Sequence, residues 1–242
     1  MVGNTGCDRV RGSVSLVFGV VGCILVAGCG SSGGAAKPAA SAPTTTTTTV
    51  TVAPVAEEGL RALLLNPDEI SPVMGVTEMK AHAPHDVLPD DSTTMEPREC
   101  LAVDGVAQEQ VYAGSGFSAV REQSVSDGED NAHFVDQAVV LFPTAKQAMA
   151  FFEASAKQWP QCHEYTHTQS GSEWSAGRIS NAEGVLSTVA TQQNAGESAW
   201  QACGRALAVA NNVIVDVNTC STDPKDSAVV IARKIAAKVP KG

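Results

Sequence analysis

The chain has 242 residues, 43% hydrophobic and 5% aromatic, with 16 Lys and Arg against 26 Asp and Glu, a formal charge of −10. At roughly 150 residues per domain, that length allows one large domain or two small ones. The acidic balance excludes a protein that grips phosphate backbones through dense basic patches, so nucleic acid is not expected as a partner.

From the N-terminus, Arg9 and Arg11 precede an apolar run over residues 13–27. A run of about fifteen residues is too short for a hydrocarbon core of ~30 Å, which takes about 20, and suits the h-region of a secretory signal. Leu25-Val26-Ala27-Gly28-Cys29 resembles the bacterial lipobox, whose cysteine receives a diacylglyceryl group and becomes the first residue after cleavage. Residues 1–28 are therefore expected to be a lipoprotein signal peptide. Cys29 is expected to anchor the chain to the extracytoplasmic face of the cell membrane, because two acyl chains hold stably where one is marginal. Residues 29–56 then form the anchor and a tether of Gly, Ser, Ala, Pro and Thr, with six threonines in a row at Thr44–Thr49. Such a composition buries too little apolar surface to offset its chain entropy. Residues 57–242 hold no second biased linker and no internal repeat, and are read as a single domain.

Within that domain, Leu60, Leu63 and Leu64 predict a short helix ending before Asn66-Pro67, and Pro67-Asp68-Glu69 opens a second. Residues 84–98, rich in Pro, Asp, Ser and Thr, predict loop, while Val106, Val111 and Tyr112 lean toward helix. Strands are expected near 116–125 and 134–142. Thr144-Ala145-Lys146-Gln147 has the form of a capping box. After it, Ala145, Ala148, Met149, Phe152, Ala156 and Trp159 line the core face of a helix that stops before Pro160. Further strands are expected at 164–169, 173–180, 185–192, 199–210 and 213–220. A closing helix is expected from Asp223-Pro224, burying Ala228, Ile231, Ile235 and Val239. This order predicts an α+β domain, an antiparallel β-sheet packed with flanking helices.

Four cysteines lie beyond the signal and the anchor: Cys100, Cys162, Cys203 and Cys220. An even number in an exported domain predicts two disulfides, with three connectivities open. Asn211-Asn212 reads as the two-residue type I′ turn of a hairpin. In that register Ala210 faces Val213, and Cys203 faces Cys220 at a non-hydrogen-bonded position, close enough for a disulfide. Cys100 and Cys162 then pair by elimination. The register also puts Ala206, Ala208, Ala210, Val213, Val215 and Val217 on one face, suited to a covering helix, and Arg205, Leu207, Val209, Ile214, Asp216 and Asn218 on the other. Arg205 lies opposite Asn218 and diagonal to Asp216, which predicts a cross-strand ion pair on a solvated face. The functional alternative makes Arg205, Asp216 and Asn218 the polar floor of a concave ligand-binding surface.

The sequence carries no HExxH, G-x-S-x-G, Walker or CxxC motif, so it bears no enzyme signature, and no cofactor or metal is expected. His82 and His85 stand near Asp86, Asp90 and Asp91 in a stretch interrupted by Pro84 and Pro89, which reads as solvated loop rather than a metal site. His163 and His167 share a strand face without a visible third ligand. Ala113-Gly114-Ser115-Gly116 reads as a turn.

Several stretches carry a family resemblance: Leu65-Asn66-Pro67-Asp68-Glu69-Ile70 with Met74-Gly75, Glu99-Cys100-Leu101, Val111-Tyr112-Ala113-Gly114-Ser115-Gly116, and Cys203-Gly204-Arg205-Ala206-Leu207 through Asn211-Asn212-Val213 to Cys220. Together they resemble the PknH-like extracellular sensor domains of mycobacterial receptor kinases. The resemblance spans nearly all of 57–242. It implies an α+β fold with two disulfides, a cleft for an unidentified ligand, and an actinobacterial cell envelope. With a lipobox in place of a kinase domain and a transmembrane segment, the chain is similar to the free-standing envelope lipoproteins that carry this module. These readings predict a non-catalytic, lipid-anchored sensor-like module whose ligand is a small molecule, lipid or glycan. The alternative is an interaction protein that modulates a sensor kinase or another envelope protein partner. An envelope hydrolase is the third reading.

Overall fold

The computed structural model describes residues 53–128, 131–196 and 200–241. The expected signal peptide, Cys29 and the tether through residue 52 lie outside the described residues.

A 3-10 turn over Glu57–Leu63 buries Leu60 and Leu63 and leads to α1 (Pro67–Met74). At its start the Asn66 side chain accepts from the Glu69 amide at 3.0 Å, and the Glu69 carboxylate accepts from the Asn66 amide at 2.9 Å. That reciprocal pair is a complete capping box. The short strands β1 (Lys80–Ala81) and β2 (Met95–Glu96) precede two single helical turns, α2 (Leu101–Asp104) and α3 (Glu109–Tyr112). Then come β3 (Ala119–Ser126), β4 (Phe134–Leu141), α4 (Ala145–Gln158), β5 (Glu164–His167), β6 (Ser172–Ala176), β7 (Ser180–Ala182), β8 (Val185–Gln193), β9 (Ala202–Ala210), β10 (Val213–Ser221) and α5 (Ser227–Lys238).

The strands form one antiparallel sheet in the order β1-β3-β4-β10-β9-β8-β6-β5-β2, with β7 paired to β8. Each face carries its own core. On one, Ala206, Ala208, Val213, Val215 and Val217 pack with Ala228, Ile231, Ala232 and Ile235 of α5 and with Leu60, Leu63 and Ile70 from the N-terminal segment. Small residues on β9 let the helix come close: a Cβ added at Gly204 would stand 3.5 Å from the Ala228 Cβ and 3.0 Å from the Thr219 hydroxyl. On the other face, Val140, Ile214, Leu207 and Leu186 pack with Phe152 of α4, with Trp159, and with Leu101, Val106 and Tyr112. The fold is α+β, an antiparallel sheet with helices on both faces.

Both disulfides are present, Cys203–Cys220 with Cα atoms 4.1 Å apart and Cys100–Cys162 with Cα atoms 5.0 Å apart. The first sits where the hairpin register puts it, with Val213 opposite Ala210 and Cys220 opposite Cys203.

Several local expectations are corrected. The hairpin turn is not type I′, since only Asn211 has a positive φ, 49°. Its neighbour Asn212 uses its side chain elsewhere, accepting from the Val55 amide at 2.8 Å and donating to the Phe142 and Val55 carbonyls at 2.9 and 3.1 Å. With Asn211 donating to the Ala53 carbonyl at 3.0 Å, the described chain is tied to the hairpin from Ala53 onward. α5 begins at Ser227 rather than at Pro224, because Lys225, at φ 50°, and Asp226 form a turn closed by the Ser227 amide on the Pro224 carbonyl at 3.1 Å. The cap of α4 is half a capping box: Thr144 accepts from the Gln147 amide at 3.2 Å, but Gln147 Oε1 takes the threonine hydroxyl rather than a backbone amide. The 84–98 loop includes β2, which pairs with β5 at the sheet edge. The helix expected over 103–112 is interrupted at Ala107, φ 48°, for a reason that lies in the sheet below it.

Candidate functional site

Registers across β3, β4, β10 and β9 put polar residues in adjacent rows on one sheet face. Ser124, Asp136, Asn218 and Arg205 stand side by side, and Glu122, Ala138, Asp216 and Leu207 form the next row. The face is not solvated, contrary to the cross-strand pair expected at the surface. Arg205 and Asp216 are each 2% exposed, covered by the segment 101–112. A guanidinium or carboxylate this deep must be fully engaged with partners.

Both residues are. Arg205 donates to Asp216 Oδ1, to the Val217 carbonyl at 2.9 Å and to the Gly105 carbonyl at 2.7 Å. Its guanidinium also lies 5.3 Å from the centre of a Trp159 ring, within cation–π reach. Asp216 Oδ2 accepts from the Ala107 amide at 3.0 Å and from the Tyr112 hydroxyl at 2.9 Å. Burial, with the Asp216 charge second, pushes the Tyr112 hydroxyl well above its ordinary value. Asn218 donates to the Asp104 carbonyl at 2.7 Å. These three residues therefore clamp α2, α3 and their link to the sheet. Of the three, Asn218 lines the cavity beside the clamp, and Arg205 and Asp216 do not. Arg205 and Asp216 are struts of the cavity wall.

That cavity, about 620 Å³, opens between the clamped segment, the 89–91 loop, β3, β4 and the far strands β5 and β6. Asp91, Asp104, Glu122 and Asp136 supply carboxyl groups, and Phe134, Trp174 and Trp200 supply rings. The Cys203–Cys220 disulfide and Asn218 lie along it. Gln108 fixes its rim, donating to Asp91 Oδ2 at 2.9 Å while accepting from the Asp91 amide at 2.8 Å. The aromatic wall is ordered by ring contacts: Phe134 lies 5.2 Å from Trp200, and His167 lies 5.9 Å from Trp174. Both indoles spend their N–H groups on the protein, Trp200 on the Asn131 carbonyl at 2.6 Å and Trp174 on the Ser172 hydroxyl at 3.1 Å. Their faces are what they offer a ligand.

His167 Nε2 meets Asp104 Oδ1 at 3.0 Å, and this bond raises the imidazole above its ordinary value despite partial burial. His163 does not line the cavity, and His82 bonds the Ser126 hydroxyl at 2.8 Å on another side of β3. Among the described residues, no group of three or more His, Cys, Asp or Glu is placed to hold a metal ion.

The most unusual groups are two that the sequence reading passed over. Glu122 is 7% exposed, and its Oε2, like Asp136 Oδ1, is buried without a donor. Desolvation first, and the Asp136 charge second, push the Glu122 carboxyl up to about 9. Desolvation raises Asp136 to about 6. The signal for both is a carboxylate within an otherwise apolar alternation: Val120, Glu122 and Ser124 share one face of β3, and Asp136 and Ala138 share the facing positions of β4.

A family model described as the PknH-like extracellular domain matches residues 55–238. The chain belongs to this family. It is 38% identical over 193 residues to the serine/threonine-protein kinase PknH of Mycobacterium bovis and to that of Mycobacterium tuberculosis, covering 78% of this chain but 32% and 30% of those kinases. The chain thus spans about a third of the length of the kinases it matches. The crystal structure of the extracellular domain of PknH from Mycobacterium tuberculosis is similar with a TM-score of 0.71 and 37% identity, over 77% of this chain and 97% of that one. The PknH-like fold, with both disulfides, is the architecture that sets the cavity between the clamped segment and the sheet. What the chain shares with the kinases is their extracellular domain and not a catalytic one. Among the described residues, no helix is long and apolar enough to cross a membrane.

Proposed function

We propose that this PknH-like domain is a lipid-anchored, non-catalytic ligand-binding module on the extracytoplasmic face of the cell envelope, and that the acidic, aromatic-walled cavity is its binding site. The observation that carries the reading is the combination of about 620 Å³ of concave volume with three aromatic walls and convergent carboxyl groups. Apolar walls with a few placed polar groups are the general form of a small-molecule site. The lipobox at Cys29 supports attachment to the membrane, with the tether giving the domain reach. A docking role is less well supported. Among the described residues, the exposed large hydrophobics are Val87 and Met149, and two residues do not make a contiguous patch of several hundred Å².

The test is a thermal-shift screen of envelope lipids and glycans against the full chain in detergent. A ligand at a hundred times its Kd stabilises the folded state by about 2.7 kcal/mol and raises the melting midpoint accordingly. Trp200→Ala is expected to abolish the shift produced by any hit. A hit whose effect is unchanged by that substitution binds outside the cavity and defeats this assignment.

A further inference from the structure

Glu122 and Asp136 lie diagonally across the β3–β4 pair within hydrogen-bond reach of each other, and each has a buried oxygen that meets no donor from any other residue. Nearby, the terminal nitrogens of Arg205 go to Asp216 and to backbone carbonyls, so its charge favours the Asp136 carboxylate from a distance but bonds to neither member of the pair. Two buried carboxyl groups without a cation are costly unless they share a proton or receive a counter-charge from a ligand. Around them, Asp91 and Asp104 add negative charge, and Phe134, Trp174 and Trp200 add ring faces, which attract cations. The cavity floor is thus rich in acceptors, short of donors and walled with π-systems.

We propose that the cavity floor binds the amine of its ligand, an ammonium group seated between the Glu122 and Asp136 carboxyls among the rings of Phe134, Trp174 and Trp200. This inference rests on the cavity being the binding site, and names the chemical class that the site selects. Near neutral pH the pair keeps a proton between its two carboxyls, because burial raises both and two adjacent carboxylates repel. Binding of an ammonium with both carboxylates charged therefore releases that proton to solvent, one for each amine bound. The groups acting on Glu122 are Asp136 from β4, Asp216 from β10 and Asp91 from the rim loop, with His85 paired to its backbone, and those acting on Asp136 include Glu122, Asp216 and Arg205 from β9.

The experiment titrates benzylamine and its neutral isostere benzyl alcohol onto the full chain in detergent. Binding is followed by tryptophan fluorescence, and by calorimetry at pH 7 in two buffers of different ionisation enthalpy. The amine is expected to bind at least about tenfold tighter, as a desolvated ion pair with cation–π support requires, and to release most of one proton. Glu122→Gln, which keeps the shape of the neutral acid, and Asp136→Asn are each expected to reduce the preference several-fold and to suppress proton release. Equal binding of amine and alcohol overturns the amine assignment while leaving the cavity as the site. So does an amine preference that survives the double substitution, or one that comes without proton release. If neither probe alters the fluorescence of wild type while the Trp200→Ala control confirms that the reporter is sensitive, the cavity assignment fails as well.

Discussion

The stability cost of Glu122 is readable from its environment. The folded chain keeps a proton on this carboxyl up to about pH 9, whereas the unfolded chain loses it near the ordinary value of 4.5. Across that window the native state binds more protons, so this residue lowers stability as pH rises from 4.5 toward 9. Asp136 adds the same slope over a narrower window, from 3.8 to about 6. Glu122→Gln is expected to flatten the pH dependence of the melting midpoint and to raise the midpoint at pH 8 by a few degrees, the scale of ~1 kcal/mol for a domain of this size. Melts at pH 5 and pH 8 check it: a difference between the two pH values as large in the variant as in wild type would mean that Glu122 is already ionised when folded. Under the proposed amine site the cost falls on a binding group, where proteins accept such penalties.

At the scale of elements, the segment from α2 through α3 is shaped by its anchors more than by its own propensity. Val106, Val111 and Tyr112 have helical spacing, yet the run breaks at Ala107, φ 48°, so that its amide can reach Asp216. The Ala102 and Gly105 carbonyls turn to Arg205 for the same reason, at 3.4 and 2.7 Å. Replacing one partner of such a buried pair leaves an uncompensated charge and costs about 3–5 kcal/mol. Arg205→Met is therefore expected to lower the melting midpoint by roughly 10 °C, taking ~2–4 °C per kcal/mol at this domain size. It should also speed amide hydrogen exchange across 101–112 ahead of exchange in β4 and β10. Uniform acceleration over the whole sheet would show that the pair stabilises the core rather than the cavity wall. The second disulfide contributes at this scale too, joining Cys100, just before α2, to Cys162, just after α4.

For the molecule as a whole, the sheet carries a helix-packed apolar core on one face, while on the other face a core shares the surface with a cavity. A lipid anchor at Cys29 would present that cavity to the outside of the membrane on a tether whose described end, Ala53 to Val55, is fastened to the hairpin turn. Cys29→Ser is expected to move the chain from the membrane fraction to the soluble extracellular fraction. Fractionation of cells expressing both forms measures it, and full membrane retention of the variant would remove the acyl anchor from the account. The net charge of −10 gives no help in holding an anionic lipid surface, so in the proposed anchoring the acyl chains alone would do so.

The sequence by itself determined the hairpin register, the faces of β9 and β10, the Cys203–Cys220 bridge, the burial of Ala148, Phe152 and Trp159 along and just after α4 and that of Ile231 and Ile235 on α5, whereas Ala145 and Met149, expected on the core face of α4, are exposed. All of these follow from period and short-range pairing, in which a residue's direction is set by neighbours within one hairpin or a few helical turns. Only the tertiary structure decided that Arg205 and Asp216 are buried struts rather than a surface pair, because the cover comes from residues about a hundred positions away in sequence. It also brought Glu122 and Asp136 beside Trp174 and Trp200, which sit on strands or loops far apart along the chain. Which face of a sheet is covered and which is left hollow depends on where distant segments come to rest, and local alternation holds no record of that.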